Sequence, residues 1–121
     1  MDYDPKQFFH AFPRFVESSE TSKGEDRINV RFEVLMHRNR ELFEGARVLD
    51  LASHDGRFSF AALACGADHV VGIDVKDHLV DVASSHFDHY GIAPDRYQFL
   101  VGDMYDWIPD LGEFDVVLVF G

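Results

Sequence analysis

Cysteine is almost missing from this chain of 121 residues: Cys65 stands alone, so no internal disulfide can form, and a reduced, cytoplasmic setting is the expectation. Long apolar runs are missing as well. None approaches the roughly 20 residues that cross a bilayer as a helix, so no membrane span is expected. The opening Met1-Asp2-Tyr3-Asp4 lacks the basic and apolar segments of a secretory signal. Positive charge is scarce, with 11 Lys and Arg against 22 Asp and Glu and a formal charge of −11. Phosphate neutralisation needs clustered Lys and Arg, so this balance argues against nucleic acid as a partner. Internal repeats and low-complexity tracts are also absent. The length suits one domain with a core, yet is short for a complete doubly wound fold.

The most informative stretch present is Val48-Leu49-Asp50-Leu51-Ala52-Ser53-His54-Asp55-Gly56, followed at strand-helix-strand distance by Val70-Val71-Gly72-Ile73-Asp74. It reads as a strand ending in a carboxylate, a tight turn into a helix, and a second strand ending in another. In a parallel α/β sheet such strand ends open into one crevice, where ligands bind. Two acids there suit a ligand carrying a ribose and a positive charge.

Around this unit the pattern predicts a short amphipathic helix over 5–12, a polar loop or lid over 17–24, and a helix over 26–43. The apolar stripe of that helix is Ile28, Phe32, Leu35, Met36, Leu42 and Phe43, and Gly45 stops it. Strands are expected over 47–51, 69–75, 97–101 and 114–120, with a helix over 57–65 closed by Gly66. Asp77 is placed to cap a further helix, whose stripe is Leu79, Val80, Ala83, Phe87 and Tyr90 before Gly91. A turn-rich segment with Trp107, Pro109 and Gly112 leads into Val116-Val117-Leu118-Val119, a run that suits a strand buried on both faces.

Glycine is short where a dinucleotide would need it. Laid over G-x-G-x-x-G, the glycine positions hold Ala52, His54 and Arg57; laid over the looser G-x-G-x-G of S-adenosylmethionine enzymes, they hold Ala52, His54 and Gly56. The second ligand carries no phosphate, so it tolerates a less open turn.

From about Arg47 onward the sequence resembles the class I S-adenosylmethionine-dependent methyltransferases. Four signals in order carry the resemblance: 48–56, then Gly72-Ile73-Asp74-Val75, then Val101-Gly102-Asp103-Met104, then 114–121. Phe58-Ser59-Phe60 and Gly66-Ala67-Asp68 look like the branch acting on small molecules, sugars or tRNA wobble bases. The resemblance implies an α/β fold, a three-layer αβα sandwich on a parallel Rossmann-like sheet with strands ordered 3-2-1-4. Residues 1–25 would form an N-terminal helix and lid, and 26–121 the cofactor-binding domain. The implied activity is methyl transfer from S-adenosylmethionine to an O or N atom of a small-molecule acceptor. The family continues with strands that pair with the fourth, so the chain is expected to be a partial methyltransferase fold, or else to self-associate through that exposed edge.

Position by position, the resemblance puts Asp50 and the turn Ala52, Ser53, His54, Asp55 and Gly56 at the methionine end of the cofactor. It puts Asp74, followed by Val75, at the ribose, Asp103 and Met104 at the adenine, and Phe120 and Gly121 beside the sulfonium. Arg27 and Arg31, one turn apart, are placed to clamp a carboxylate or the cofactor's methionine end. His54 is a candidate base toward the acceptor. Phe8, Phe9, Phe12 and Phe15 read as an aromatic stripe packed on the sheet. His86 and His89 share a helix face but fall near its exposed side with no second ligand pair, so no metal site is expected. Two other functions fit the residues: a module that binds the cofactor and transfers nothing, and a nucleotide-dependent oxidoreductase, which the missing pyrophosphate glycines disfavour.

Overall fold

Four parallel strands, β1 (Arg47–Leu51), β2 (His69–Asp74), β3 (Tyr97–Val101) and β4 (Val116–Leu118), form one sheet in the order β3-β2-β1-β4. The computed structural model describes residues 2–20 and 24–120. Gly121 and the centre of the polar stretch, residues 21–23, lie outside the described residues. Because strand side chains alternate, Val48 and Val70 point to one face and Leu49, Val71 and Ile73 to the other.

The first face carries α1 (Arg14–Glu17), α2 (Glu25–Arg31), α3 (Arg57–Ala64) and α4 (Asp77–His89), with a 3-10 turn at Phe8–His10. Phe8, Phe9 and Phe15 from the N-terminal segment join Ile28, Phe32, Phe60 and Phe87 in its core. Phe8 stacks on Phe32 with ring centroids 4.0 Å apart. Each such buried ring contributes about 1.5–3 kcal/mol. The opposite face carries α5 (Met104–Leu111), whose Leu111 packs with Leu49, Val71 and Ile73.

Several local expectations are corrected. The helix over 26–43 is three pieces: α2, a π turn at Phe32–Met36 and a 3-10 stretch at His37–Leu42 with a kink at Asn39. The i→i+5 bonding of the π turn shifts the phase, so Ile28, Phe32 and Met36 stay buried at steps of four while Leu35 and Leu42 face outward. Asp77 is the first residue of α4 rather than its cap, and Lys76 occupies the cap position. The turn-rich segment before β4 is the helix α5, started by the Asp103 carboxylate accepting from Tyr105 N at 2.9 Å and containing Pro109 two residues before its end. β4 is short, and Val117 is 50% exposed, so the strand is not covered on both faces.

Gly72 shows how tightly β2 meets its neighbours. A Cβ there would lie 2.7 Å from Phe99 and 2.9 Å from the Ser53 side chain. Gly72→Ala is therefore expected to destabilise by about 1–3 kcal/mol, the usual cost of overpacking. Urea unfolding checks this, and an unchanged midpoint rejects it.

Candidate functional site

The chain leaves β1 through a turn at residues 52–56 before entering α3. Ala52, His54 and Gly56 have φ of 58°, 56° and 82°, so three alternate residues sit in the left-handed region. These are the three glycine positions of G-x-G-x-G. The backbone keeps the shape although two side chains stand where glycine relieves it, at about 1–2 kcal/mol each. Contacts to β2 hold the shape: Ser53 N donates to the Ile73 carbonyl at 3.0 Å, and His54 N donates to Asp74 Oδ2 at 2.9 Å.

Asp50, at the carboxyl end of β1, is buried and accepts from Ser59 Oγ of α3 at 2.7 Å. Burial pushes its carboxyl up to about 7; the Ser59 hydroxyl opposes the shift, and the nearby Asp74 and Asp55 add to it. Asp74, at the end of β2, is held at both oxygens by backbone donors, His54 N and Lys76 N, each at 2.9 Å. Asp55 is fully buried and receives Arg57 Nε at 2.8 Å, Arg57 Nη2 at 2.9 Å and Ser18 Oγ at 2.6 Å. Burial alone would raise it, but hydrogen bonds from His54, Arg57 and Ser18 and the Arg57 charge hold it below the usual carboxylate range.

These strand ends open into a cavity of about 400 Å³. Of the residues expected from sequence, Asp50, Ala52, Ser53, His54, Asp74, Val75 and Phe120 line it, and so do Arg27 and Arg31. Four do not: Asp55 is turned into its pair with Arg57, Gly56 packs against α4 and Phe99, Asp103 caps α5, and Met104 is exposed on that helix. Sequence reasoning missed Arg57, Phe58 and Lys76 as lining residues, and it placed Ile28 and Leu79, which also line the cavity, only in the apolar stripes of their helices. The one signal for Arg57 was its place two residues after Asp55 at the turn.

Two polar atoms of lining residues, Ser53 Oγ and His54 Nε2, are buried without a hydrogen-bond partner. His54 Nδ1 faces Asp55 Oδ1 at 3.3 Å. His86 is buried, not on the exposed side of α4, and its Nε2 lies 2.9 Å from Ser18 Oγ, while His89 is exposed. Among the described residues no three His, Cys, Asp or Glu gather as a metal site, and no helix is long and apolar enough to cross a membrane.

A family profile described as a methyltransferase domain matches residues 48–121. A Methanocaldococcus jannaschii protein assigned as a ribosomal RNA large subunit methyltransferase is 38% identical over 80 residues, covering 63% of this chain and 20% of its own length. The ribosomal RNA large subunit methyltransferase K/L of a Psychrobacter species is 33% identical over 91 residues, covering 69% of this chain and 11% of its own. The chain thus spans a fifth or less of the length of these relatives. Among solved structures, an S-adenosylmethionine-dependent methyltransferase from Thiobacillus denitrificans in complex with S-adenosyl-L-homocysteine aligns with TM-score 0.56 and 25% identity, over 67% of this chain and 33% of that one.

These relatives overturn the expectation of a small-molecule acceptor with nucleic acid disfavoured, and they give no support to the small-molecule branch, since both are named for ribosomal RNA. The physical error lies in averaging. A net charge of −11 sums the whole surface, whereas a partner meets one face, and Arg27, Arg31 and Lys76 line this cavity.

Proposed function

Because the chain belongs to the methyltransferase-domain family, matched over residues 48–121, we propose that its cavity binds S-adenosylmethionine and that the protein methylates RNA. The observation that carries this reading is the meeting of two strand-end carboxylates, Asp50 and Asp74, with a turn left-handed at residues 52, 54 and 56.

The donor set matches the parts of that cofactor. Each Asp74 oxygen spends one lone pair on a backbone N–H and keeps another for a ribose hydroxyl, so one side chain engages both hydroxyls. Val75 follows it in the cavity wall. A bound cation favours the charged form of Asp50, against the burial that raises its pKa, so Asp50 supplies negative charge once the cationic methionine end is in place, and the Ser53 hydroxyl is an unspent polar group. The Arg27 and Arg31 side chains have no hydrogen-bond or ion-pair partner among the described residues and are available to the carboxylate of that end or to RNA phosphate. Asp103 and Met104 follow β3 at the same sheet edge and remain the candidates for the adenine.

When bound, the cofactor supplies a methyl group on positively charged sulfur, open to in-line attack. The chain's own residues contribute binding and orientation, with fixed carboxylates holding the cation where the acceptor arrives. His54, the histidine in the cavity wall, is the candidate base toward the acceptor. The relatives' names support RNA as that acceptor.

Asp74→Ala tests the assignment. Losing two hydrogen bonds to a carboxylate is expected to weaken S-adenosylhomocysteine binding about 100-fold by calorimetry. Unchanged affinity, or tighter binding of NAD than of S-adenosylhomocysteine by wild type, overturns it. Transfer of labelled methyl groups to ribosomal RNA tests the acceptor.

A further inference from the structure

Three consecutive residues after α1 reach across both loops that face the cavity. Ser18 Oγ lies 2.6 Å from Asp55 Oδ2, 2.9 Å from the Arg14 carbonyl and 2.9 Å from His86 Nε2. A hydroxyl has one proton, and the charged, closer Asp55 draws it, so Ser18 accepts from His86 as the Nε2–H tautomer. Ser19 Oγ accepts from Arg57 Nη1 at 3.2 Å. Glu20 accepts from His78 Nε2 at 2.9 Å and stands 3.6 Å from Lys76 Nζ.

Asp55 lies in the left-handed turn after β1, and Arg57 follows it as the first residue of α3. Lys76 gives its backbone N–H to Asp74 at the end of β2. The two loops belong to different strand-to-helix connections, and His54 N to Asp74 Oδ2 joins them directly. Residues 18–20 are a second tie between them, from outside. The turn needs such support, because Ala52 and His54 hold it in a conformation that side chains disfavour.

We propose that Ser18, Ser19 and Glu20 are positioning residues, a strap that fastens the two cavity-facing loops together so that its loss loosens the cofactor's seat more than the fold. The proposal rests on the reading that the cavity takes S-adenosylmethionine, and it gives the N-terminal segment a role in that site. The groups through which it acts are the Asp55–Arg57 pair at one loop and Lys76 at the other. None of the three strap residues lines the cavity.

The experiment titrates S-adenosylhomocysteine into the 121-residue chain by calorimetry, with dissociation followed by stopped flow, for wild type, Ser18→Ala, Ser18→Thr, Glu20→Ala and Asp74→Ala. Ser18→Ala is expected to weaken binding about tenfold, mostly through faster dissociation. Ser18→Thr keeps the hydroxyl and is expected to restore most of the affinity, which a merely space-filling role would not do. Glu20 is exposed, so Glu20→Ala is expected to leave Tm unchanged while weakening binding about threefold. Should Ser18→Ala fail to fold, Glu20→Ala decides. If Ser18→Ala and Glu20→Ala bind like wild type while Asp74→Ala does not, the strap is rejected and the cofactor assignment stands. If Ser18→Thr is no better than Ser18→Ala, the hydroxyl is not the agent and the strap is rejected. If wild type itself does not bind the probe, both readings fall.

Discussion

Asp55→Ala is expected to cost about 3–5 kcal/mol of stability, a large part of what a domain of this size possesses. The carboxylate is fully buried and receives three side-chain hydrogen bonds at 2.6–2.9 Å, two of them from Arg57, itself only 4% exposed. Removing Asp55 leaves a buried guanidinium without the carboxylate that balances its charge, and it frees Ser18 from the turn. The pH dependence has a definite sign. The folded protein holds Asp55 below the ordinary aspartate value of about 3.9, so its contribution is complete above that value and is lost as pH falls through the depressed folded value. Denaturant unfolding of the variant at neutral pH checks the magnitude. A loss below about 1 kcal/mol would mean that Arg57 reaches water, contrary to its burial. The double variant Asp55→Asn with Arg57→Met should cost less than the sum of the singles, because it removes both charges together.

Asp50→Asn is expected to act in the opposite direction. Burial raises this carboxyl to about 7, so between roughly pH 4 and 7 the folded protein holds a proton that the unfolded chain has released. Wild-type stability therefore falls as pH rises through that window. An Asn at position 50 keeps an oxygen for the Ser59 hydroxyl and has no charge to bury. Its advantage should be near zero below pH 4 and grow to about 2–4 kcal/mol above pH 7. Under the proposed function the same substitution should weaken S-adenosylmethionine, a cation, more than S-adenosylhomocysteine, whose sulfur is neutral. Unfolding measured from pH 4 to 8 is the check, and a stability difference that stays flat over that range rejects the raised value. A residue that lowers stability at neutral pH while facing a cavity fits selection for binding rather than for folding.

Much of the sheet was readable from sequence because the signals are local. Val48-Leu49, Val70-Val71 and Phe99-Leu100 are short apolar runs of strand length, and Gly45, Gly66 and Gly91 mark the ends of helical stretches. The acids at the ends of β1 and β2 follow from where those strands stop. The phase of the segment after α2 was not readable, because a π turn moves Leu35 and Leu42 off the core stripe without altering their spacing in sequence. Pro109 and Gly112 suggested turns, whereas the Asp103 cap and the packing of Leu111 on β1 and β2 make 104–111 a helix despite its proline.

The sequence by itself determined the α/β class, the strand-end acids Asp50 and Asp74, and a turn at 52–56 that lacks two of its glycines. Only the tertiary structure decided that Ala52 and His54 still take left-handed angles, that His86 is buried, and that Ser18 meets Asp55 across 37 residues of chain. The reason is the range of the forces involved. Periodicity and capping act within a few residues and can be read along the chain, while the partner of a buried polar atom is chosen by whichever distant segment packing brings to it.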